Sequence, residues 1–157
     1  MKKDNGLYWL LVTIVIFVID IASKFFIIDK FSLFESVNLL PFFSITYVRN
    51  IGAAFSFFEG QREMLVAIAL IISVVIMHML YRNSRQKKLE NFSLSLILGG
   101  ALGNLFDRLY HGFVVDFLDV NFGSWHYPTF NVADCAICIG IGLFIFCNYK
   151  KPKQTAE

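Results

Sequence analysis

Apolar residues in this chain gather into four long runs, about Leu7–Ile28, Met64–Tyr81, Phe92–Tyr110 and Val132–Asn148, separated by mixed or polar segments. Each is close to the ~20 residues that a helix needs to cross a ~30 Å hydrocarbon layer. The pattern predicts one membrane domain over residues 1–157, an all-α protein built as a four-transmembrane-helix bundle. Gly99, Gly100, Ala101 and Gly103 lie in the middle of the third run, and small residues let helix backbones approach closely, so this helix is expected at the centre of the bundle. Gly112 is placed to end it, and Pro128 precedes the fourth run. Between the first two runs, Phe42–Val48 is rich in aromatic and β-branched residues and predicts a short strand. Phe31–Leu40 is expected to begin with an interfacial helix. Phe113–Phe122 reads as extended, with Asp116 and Asp119 among apolar neighbours.

Composition agrees with a lipid-embedded chain: 57% of the 157 residues are hydrophobic and the mean hydropathy is +0.62, against about 45–50% apolar in soluble domains. The net charge of +2 is less informative than its distribution. Nine of the 14 Lys and Arg fall at Lys2 and Lys3, at Arg82, Arg85, Lys87 and Lys88, and at Lys150, Lys151 and Lys153. The positive-inside rule places all three groups, and so both termini, in the cytoplasm, leaving segments of about 29–62 and 111–131 outside. His111–Phe130 contains no Lys or Arg. Tyr8 and Trp9 are placed as an aromatic anchor near the inner surface. Lys2 and Lys3 before an apolar run resemble a secretory signal, but the run continues to about Ile28 and no A-x-A-like site follows, so a retained helix is expected. Nothing here offers the basic surface or Gly-rich phosphate loop of a nucleic-acid or nucleotide binder. Cys135, Cys138 and Cys147 share the fourth run; an odd number of intramembrane thiols predicts packing residues rather than a disulfide framework.

Charge within hydrocarbon costs roughly 2.5–3.5 kcal/mol per residue on insertion scales and marks function where it persists. Asp20 and Lys24 lie late in the first run, Asp107 and Arg108 end the third, and Asp134 starts the fourth. In a chain that threads back and forth, all five reach one side. Asp20 and Lys24 are spaced for a helical ion pair, and Asp107 has Arg108 beside it, so a polar network holding the bundle is expected of these four. Asp116 and Asp134 have no basic neighbour. The apolar setting of Asp116 should raise its pKa, whereas a place in the first helical turn favours the charged form of Asp134. Two carboxylates pushed apart in this way suit general acid–base catalysis on a water molecule. Ser23 and Lys24 are poor candidates for a serine–lysine dyad, because adjacent helical residues point about 100° apart. His111 and His126 share no metal-ligand spacing with Asp116. A small proton-coupled transporter or channel is the main alternative, but it requires carboxylates across the membrane depth, and the second run and the inner halves of the others lack them. A noncatalytic scaffold leaves two unpaired acids without a purpose.

Five motifs, in order, carry a family resemblance: Asp20-x-x-Ser23-Lys24; Asn50-x-Gly52-Ala53-Ala54-Phe55-Ser56; Gly103-Asn104-x-x-Asp107-Arg108; Gly112-x-Val114-x-Asp116-Phe117; and Phe130-Asn131-x-Ala133-Asp134. On these the chain resembles the lipoprotein signal peptidases (signal peptidase II), membrane aspartic proteases of bacteria. The resemblance implies a multi-pass protein of the bacterial cytoplasmic membrane, with its active site toward the outer face and a small extracytoplasmic β-rich cradle drawn from Phe42–Phe58 and Phe113–Phe122. It implies Asp116 and Asp134 as the catalytic pair, with Asp20, Lys24, Asn50, Gly52, Asn104, Asp107, Arg108, Asn131 and Ala133 binding substrate or supporting the site. The implied substrate is a prolipoprotein whose lipobox cysteine carries diacylglycerol, cut just before that cysteine. No cofactor or metal is expected, and the partners expected are this substrate and membrane lipids, with the enzyme a monomer.

Overall fold

The computed structural model describes residues 5–52, 58, 60–123 and 125–149. Four helices account for most of it: α1 (Leu10–Lys30), α2 (Arg62–Arg82), α3 (Lys88–Tyr110) and α4 (Val132–Tyr149). A short 3-10 turn, Gly6–Trp9, leads into α1, with the Asn5 side chain capping it at the Leu7 amide. Strands β1 (Ser36–Leu40) and β2 (Phe43–Asn50) lie between α1 and α2, and β3 (Val114–Phe122) and the two-residue β4 (Trp125–His126) between α3 and α4. They form one small antiparallel sheet in the order β1-β2-β3-β4.

The bundle has its apolar surface outward. Leu11, Ile14 and Val18 on α1, Ile71, Val74 and Val75 on α2, and Ile139, Ile141 and Ile145 on α4 are all exposed. Such rows of exposed aliphatic side chains fit lipid, not water. Among the described residues, three helical segments are long and apolar enough to cross a membrane: Gly6–Lys30, Arg62–Arg82 and Val132–Tyr149. This is one fewer than the sequence pattern predicts. Helix α3 matches the others in length, at 23 residues. It is less apolar because its neighbours occupy the lipid-facing positions: Asn91, Ser93, Ser95, Asn104 and Asp107 are buried against them.

Helix α3 packs against α1, α2 and α4, the central position expected from its small residues. A Cβ at Gly100 would collide with the Ala133 carbonyl of α4, and one at Gly103 with the Asp20 carboxylate of α1. At one end of the bundle, Leu80, Leu94, Leu98 and Ile76 form an apolar core. The N-terminal turn is tied to the α2–α3 loop at this same end: the Gly6 amide donates to the Asn83 carbonyl (2.9 Å), and the Arg85 guanidinium lies 3.9 Å from the centre of the Tyr8 ring. At the opposite end, Ile27 of α1 packs with Tyr47, Val115 and Phe117, seating the sheet on the bundle.

Two expectations for the connecting segments change. Phe31–Leu40 contains no helix. The chain leaves α1 at Phe31 in an extended conformation, turns at Phe34, whose φ is +67°, and enters β1. Every residue of β1 is exposed, so no buried face imposes the alternation by which a strand is read. The strand expected over Phe42–Val48 is β2, and the extended segment expected over Phe113–Phe122 is β3. Residues 53–57, including the Ala53–Ser56 part of the second motif, lie outside the described residues, as do the basic terminal residues and the His126 side chain.

Candidate active site

The site forms where the C-terminal ends of α1 and α3, the start of α4 and strands β2 and β3 meet. Gly112, with φ of +84°, stops α3 and turns the chain into β3. Antiparallel register then pairs Val48 with Asp116 and Asn50 with Val114, which brings Asn50 next to Asp116. Phe130 continues the pairing: its carbonyl accepts from the Phe117 and Leu118 amides, and its amide donates to the Leu118 carbonyl. The following residue, Asn131, is thereby placed beside β3 as the N-cap of α4.

Asn131 forms a reciprocal capping box. Its Oδ1 accepts from the Asp134 amide (2.9 Å), and Asp134 Oδ2 accepts from the Asn131 amide (3.2 Å). Its Nδ2 donates to Asp116 Oδ1 at 2.7 Å. One buried asparagine therefore holds both carboxylates. Asn104 Nδ2 donates to Asp134 Oδ1 (2.8 Å), and Asn50 Nδ2 to Asp116 Oδ2 (2.9 Å). Asp116 and Asp134 face a common cavity of about 890 Å³, also lined by Asn50, Arg108, Tyr127 and Cys138. Burial raises the Asp116 carboxyl from 3.8 to about 7, and the negative charge of Asp134 adds to the rise; the Asn50 and Asn131 amides and Lys24 oppose it.

Behind the pair lies a second set of charges. Lys24, almost wholly buried, bridges Asp20 Oδ2 (2.8 Å) and Asp107 Oδ2 (3.0 Å) and donates to Asn104 Oδ1 (2.9 Å). Asp20 Oδ1 accepts from the Ala133 amide (2.8 Å), and Asp107 Oδ2 accepts from the Val115 amide (3.0 Å). These two carboxylates thus fasten the start of α4 and the strand carrying Asp116. The expected pairing of Asp107 with Arg108 is not what forms. As sequence neighbours on a helix the two diverge, and Asp107 turns inward to Lys24 while Arg108 donates to the carbonyls of Gly52 (2.9 Å) and Asn104 (3.2 Å). Gly52 is held in turn by the Asn50 side chain, which accepts from its amide at 2.9 Å. All eleven residues expected at the site are thus brought into one network: Asp20, Lys24, Asn50, Gly52, Asn104, Asp107, Arg108, Asp116, Asn131, Ala133 and Asp134. The Ser23 hydroxyl donates to the Asp20 carbonyl within its own helix, at 2.7 Å.

Two participants are not evident from the motifs. Arg62, at the start of α2, donates through Nε to the Arg108 carbonyl (2.7 Å), satisfying the C-terminal end of α3. His111, four residues after Asp107, directs Nδ1 at that carboxylate (3.5 Å). The i, i+4 spacing was the available signal.

The geometry has counterparts in known proteins. The family model for signal peptidase (SPase) II matches residues 12–150. A lipoprotein signal peptidase of Actinobacillus succinogenes is 51% identical over 161 residues, covering 100% of this chain and 99% of that protein. One from Photorhabdus laumondii is 53% identical over 155 residues, with 96% and 93% covered. A bacterial membrane enzyme solved by the in meso method superposes with a TM-score of 0.89 at 30% identity, covering 100% of this chain and 97% of that one. With whole-chain matches in sequence and fold and a family-profile match over residues 12–150, the chain belongs to the signal peptidase II family.

Proposed function

We propose that this protein removes the signal peptide from diacylglyceryl-modified prolipoproteins, cutting just before the lipidated cysteine, and that it does so as an aspartic endopeptidase through Asp116 and Asp134. The family membership and the relatives at about 50% identity support the prolipoprotein substrate. The observation that carries the catalytic assignment is the shared cavity into which both carboxylates face, bridged by Asn131, with burial raising the Asp116 carboxyl to about 7.

Asp134 accepts N–H donors on both oxygens and is disposed to act as the base, taking a proton from water as the water oxygen attacks the scissile carbonyl carbon. Asp116, in its protonated form, donates to the carbonyl oxygen. The resulting tetrahedral diol collapses when the proton held by Asp134 passes to the leaving nitrogen and Asp116 recovers its own. The C–N bond breaks, giving the signal-peptide carboxylic acid, which then releases its proton to solvent, and the free amine of the lipidated cysteine. Asn50, Asn104, Asn131 and Arg108 hold the two acids and the cavity wall.

In the membrane, α3 serves as a fourth span shielded by the other three, and both termini and the α2–α3 loop face the cytoplasm. The basic residues Arg82, Arg85, Lys87 and Lys88 at one end of the bundle, with the sheet and cavity at the other, support this orientation. The sheet then serves as an extracytoplasmic cradle, and the substrate's acyl chains stay in lipid while its peptide meets water. The unit acts as a monomeric, single membrane domain. Incubation of detergent-purified protein with a lipid-modified prolipoprotein should release the signal peptide and shift the substrate to lower mass. An unchanged substrate, or equal cleavage of the unlipidated precursor, would refute the proposal.

A further inference from the structure

His111 is the C-cap residue of α3, immediately before the turn at Gly112. The ring is packed on several sides. It stacks on Phe113 (5.6 Å between centres, 23° between planes) and meets Tyr110 and Phe25 edge-on at 4.8 and 5.8 Å. Nδ1 is thereby aimed at Asp107 Oδ1. Both atoms are buried, and neither has a hydrogen-bond partner among the described residues, although they lie only 3.5 Å apart. A buried acceptor without a donor is costly, and one proton on Nδ1 satisfies both atoms at once.

We infer that His111 is a positioning residue for the hydrolysis: its Nδ1–H donates to Asp107 Oδ1 and fixes the orientation of that carboxylate. The other oxygen of Asp107 holds the two features on which the catalytic pair depends. It accepts from the Val115 amide, the residue before Asp116, and from Lys24, which reaches Asp134 through Asn104. A rotation of the Asp107 carboxylate therefore displaces both acids relative to each other, without touching the substrate. The donor is present in the Nδ1–H neutral tautomer and in the imidazolium alike, so the arrangement does not depend on the charge of His111. The charged groups around the ring are Asp107, Lys24 behind it, and Arg49, whose guanidinium lies 4.7 Å from the centre of the Phe113 ring.

The inference rests on the proposed cleavage, so wild-type protein is assayed on the same lipidated prolipoprotein alongside each variant. His111→Phe keeps the aromatic stack and removes the donor; kcat should fall about tenfold with KM nearly unchanged. His111→Asn places an amide N–H at the Nδ1 position without the ring, and should restore kcat to within about twofold of wild type. Wild-type kcat in His111→Phe would overturn the inference, as would equal losses in both variants, which would assign the effect to ring packing. If His111→Phe does not fold, His111→Gln, with its amide at the Nε2 position, replaces it, and equal kcat in the Asn and Gln variants is then the overturning result. An inactive wild type, by contrast, would count against the proposed function and not against His111.

Discussion

Two groups of carboxylates lie within one network of this protein, and they are treated oppositely. Asp20 and Asp107 share the buried ammonium of Lys24, and each also accepts a backbone N–H from Ala133 or Val115. Asp116 and Asp134 are held by uncharged donors, the side chains of Asn50, Asn104 and Asn131 and the Asn131 amide, and open onto a cavity. The first group shares an ammonium in direct contact and is closed; the second has no ion pair among the described residues and faces the cavity. Burial alone therefore does not identify a reactive acid. What differs is whether a cation is in contact with the carboxylate, because an acid held only by neutral donors gains or loses a proton according to its surroundings.

The comparison can be broken most severely at the open pair. Asp116→Asn and Asp134→Asn should each lower the cleavage rate about 10³-fold or more, in the upper range for loss of a general acid or base, while the purified proteins remain folded in detergent melts. Replacement in the closed group should act on stability first. Lys24→Met strands two buried carboxylates and should cost about 3–5 kcal/mol, read as a lower melting temperature and a poor yield of folded protein. A melt unchanged by this substitution would show that the two groups do not differ as described.

Protonation sharpens the same contrast. If Asp116 acts in its protonated form, kcat/KM falls as pH rises through about 7, where its carboxyl titrates. For stability the sign follows from a raised carboxyl: the fold favours the protonated acid, at no cost below the ordinary value of 3.8, at increasing cost between 3.8 and about 7, and at full cost above. The melting temperature of Asp116→Asn should therefore gain on that of wild type as pH rises across this window. A constant difference would contradict the shift. The smallest effect belongs to the exposed pair of Lys30 and Asp29, 2.8 Å apart at the end of α1. Asp29→Asn should leave both melting temperature and cleavage unchanged, since solvent screens such a pair.

The parts of this architecture legible in the sequence are those set by local chemistry. Apolar runs mark α1, α2 and α4 because lipid demands them, and Asp116 and Asp134 stand out because no base lies near them in the chain. Gly99, Gly100 and Gly103 mark the crowded helix because only a missing side chain allows such approach. What escaped depends on register between elements. That Lys24 would reach Asp107 on α3, leaving Arg108 for the Gly52 carbonyl, follows from how α1 and α3 are rotated against each other, which neither helix encodes alone. β1 was unreadable because it has no buried face. His111 has no metal-ligand spacing in the sequence, and its partner is a carboxylate one helical turn back.

The capping box at the start of α4 has a consequence for biosynthesis. Asn131, Ala133 and Asp134 lie at the start of α4, so the ribosome delivers them after every other piece of the network has emerged. Until then Asp116 lacks its Asn131 donor, Asp20 lacks the Ala133 amide, and the polar side of α3 has no neighbour from α4 to cover it. Under the proposed mechanism, a chain truncated before α4 lacks Asp134, half of the acid pair, together with the helix that packs most closely on α3.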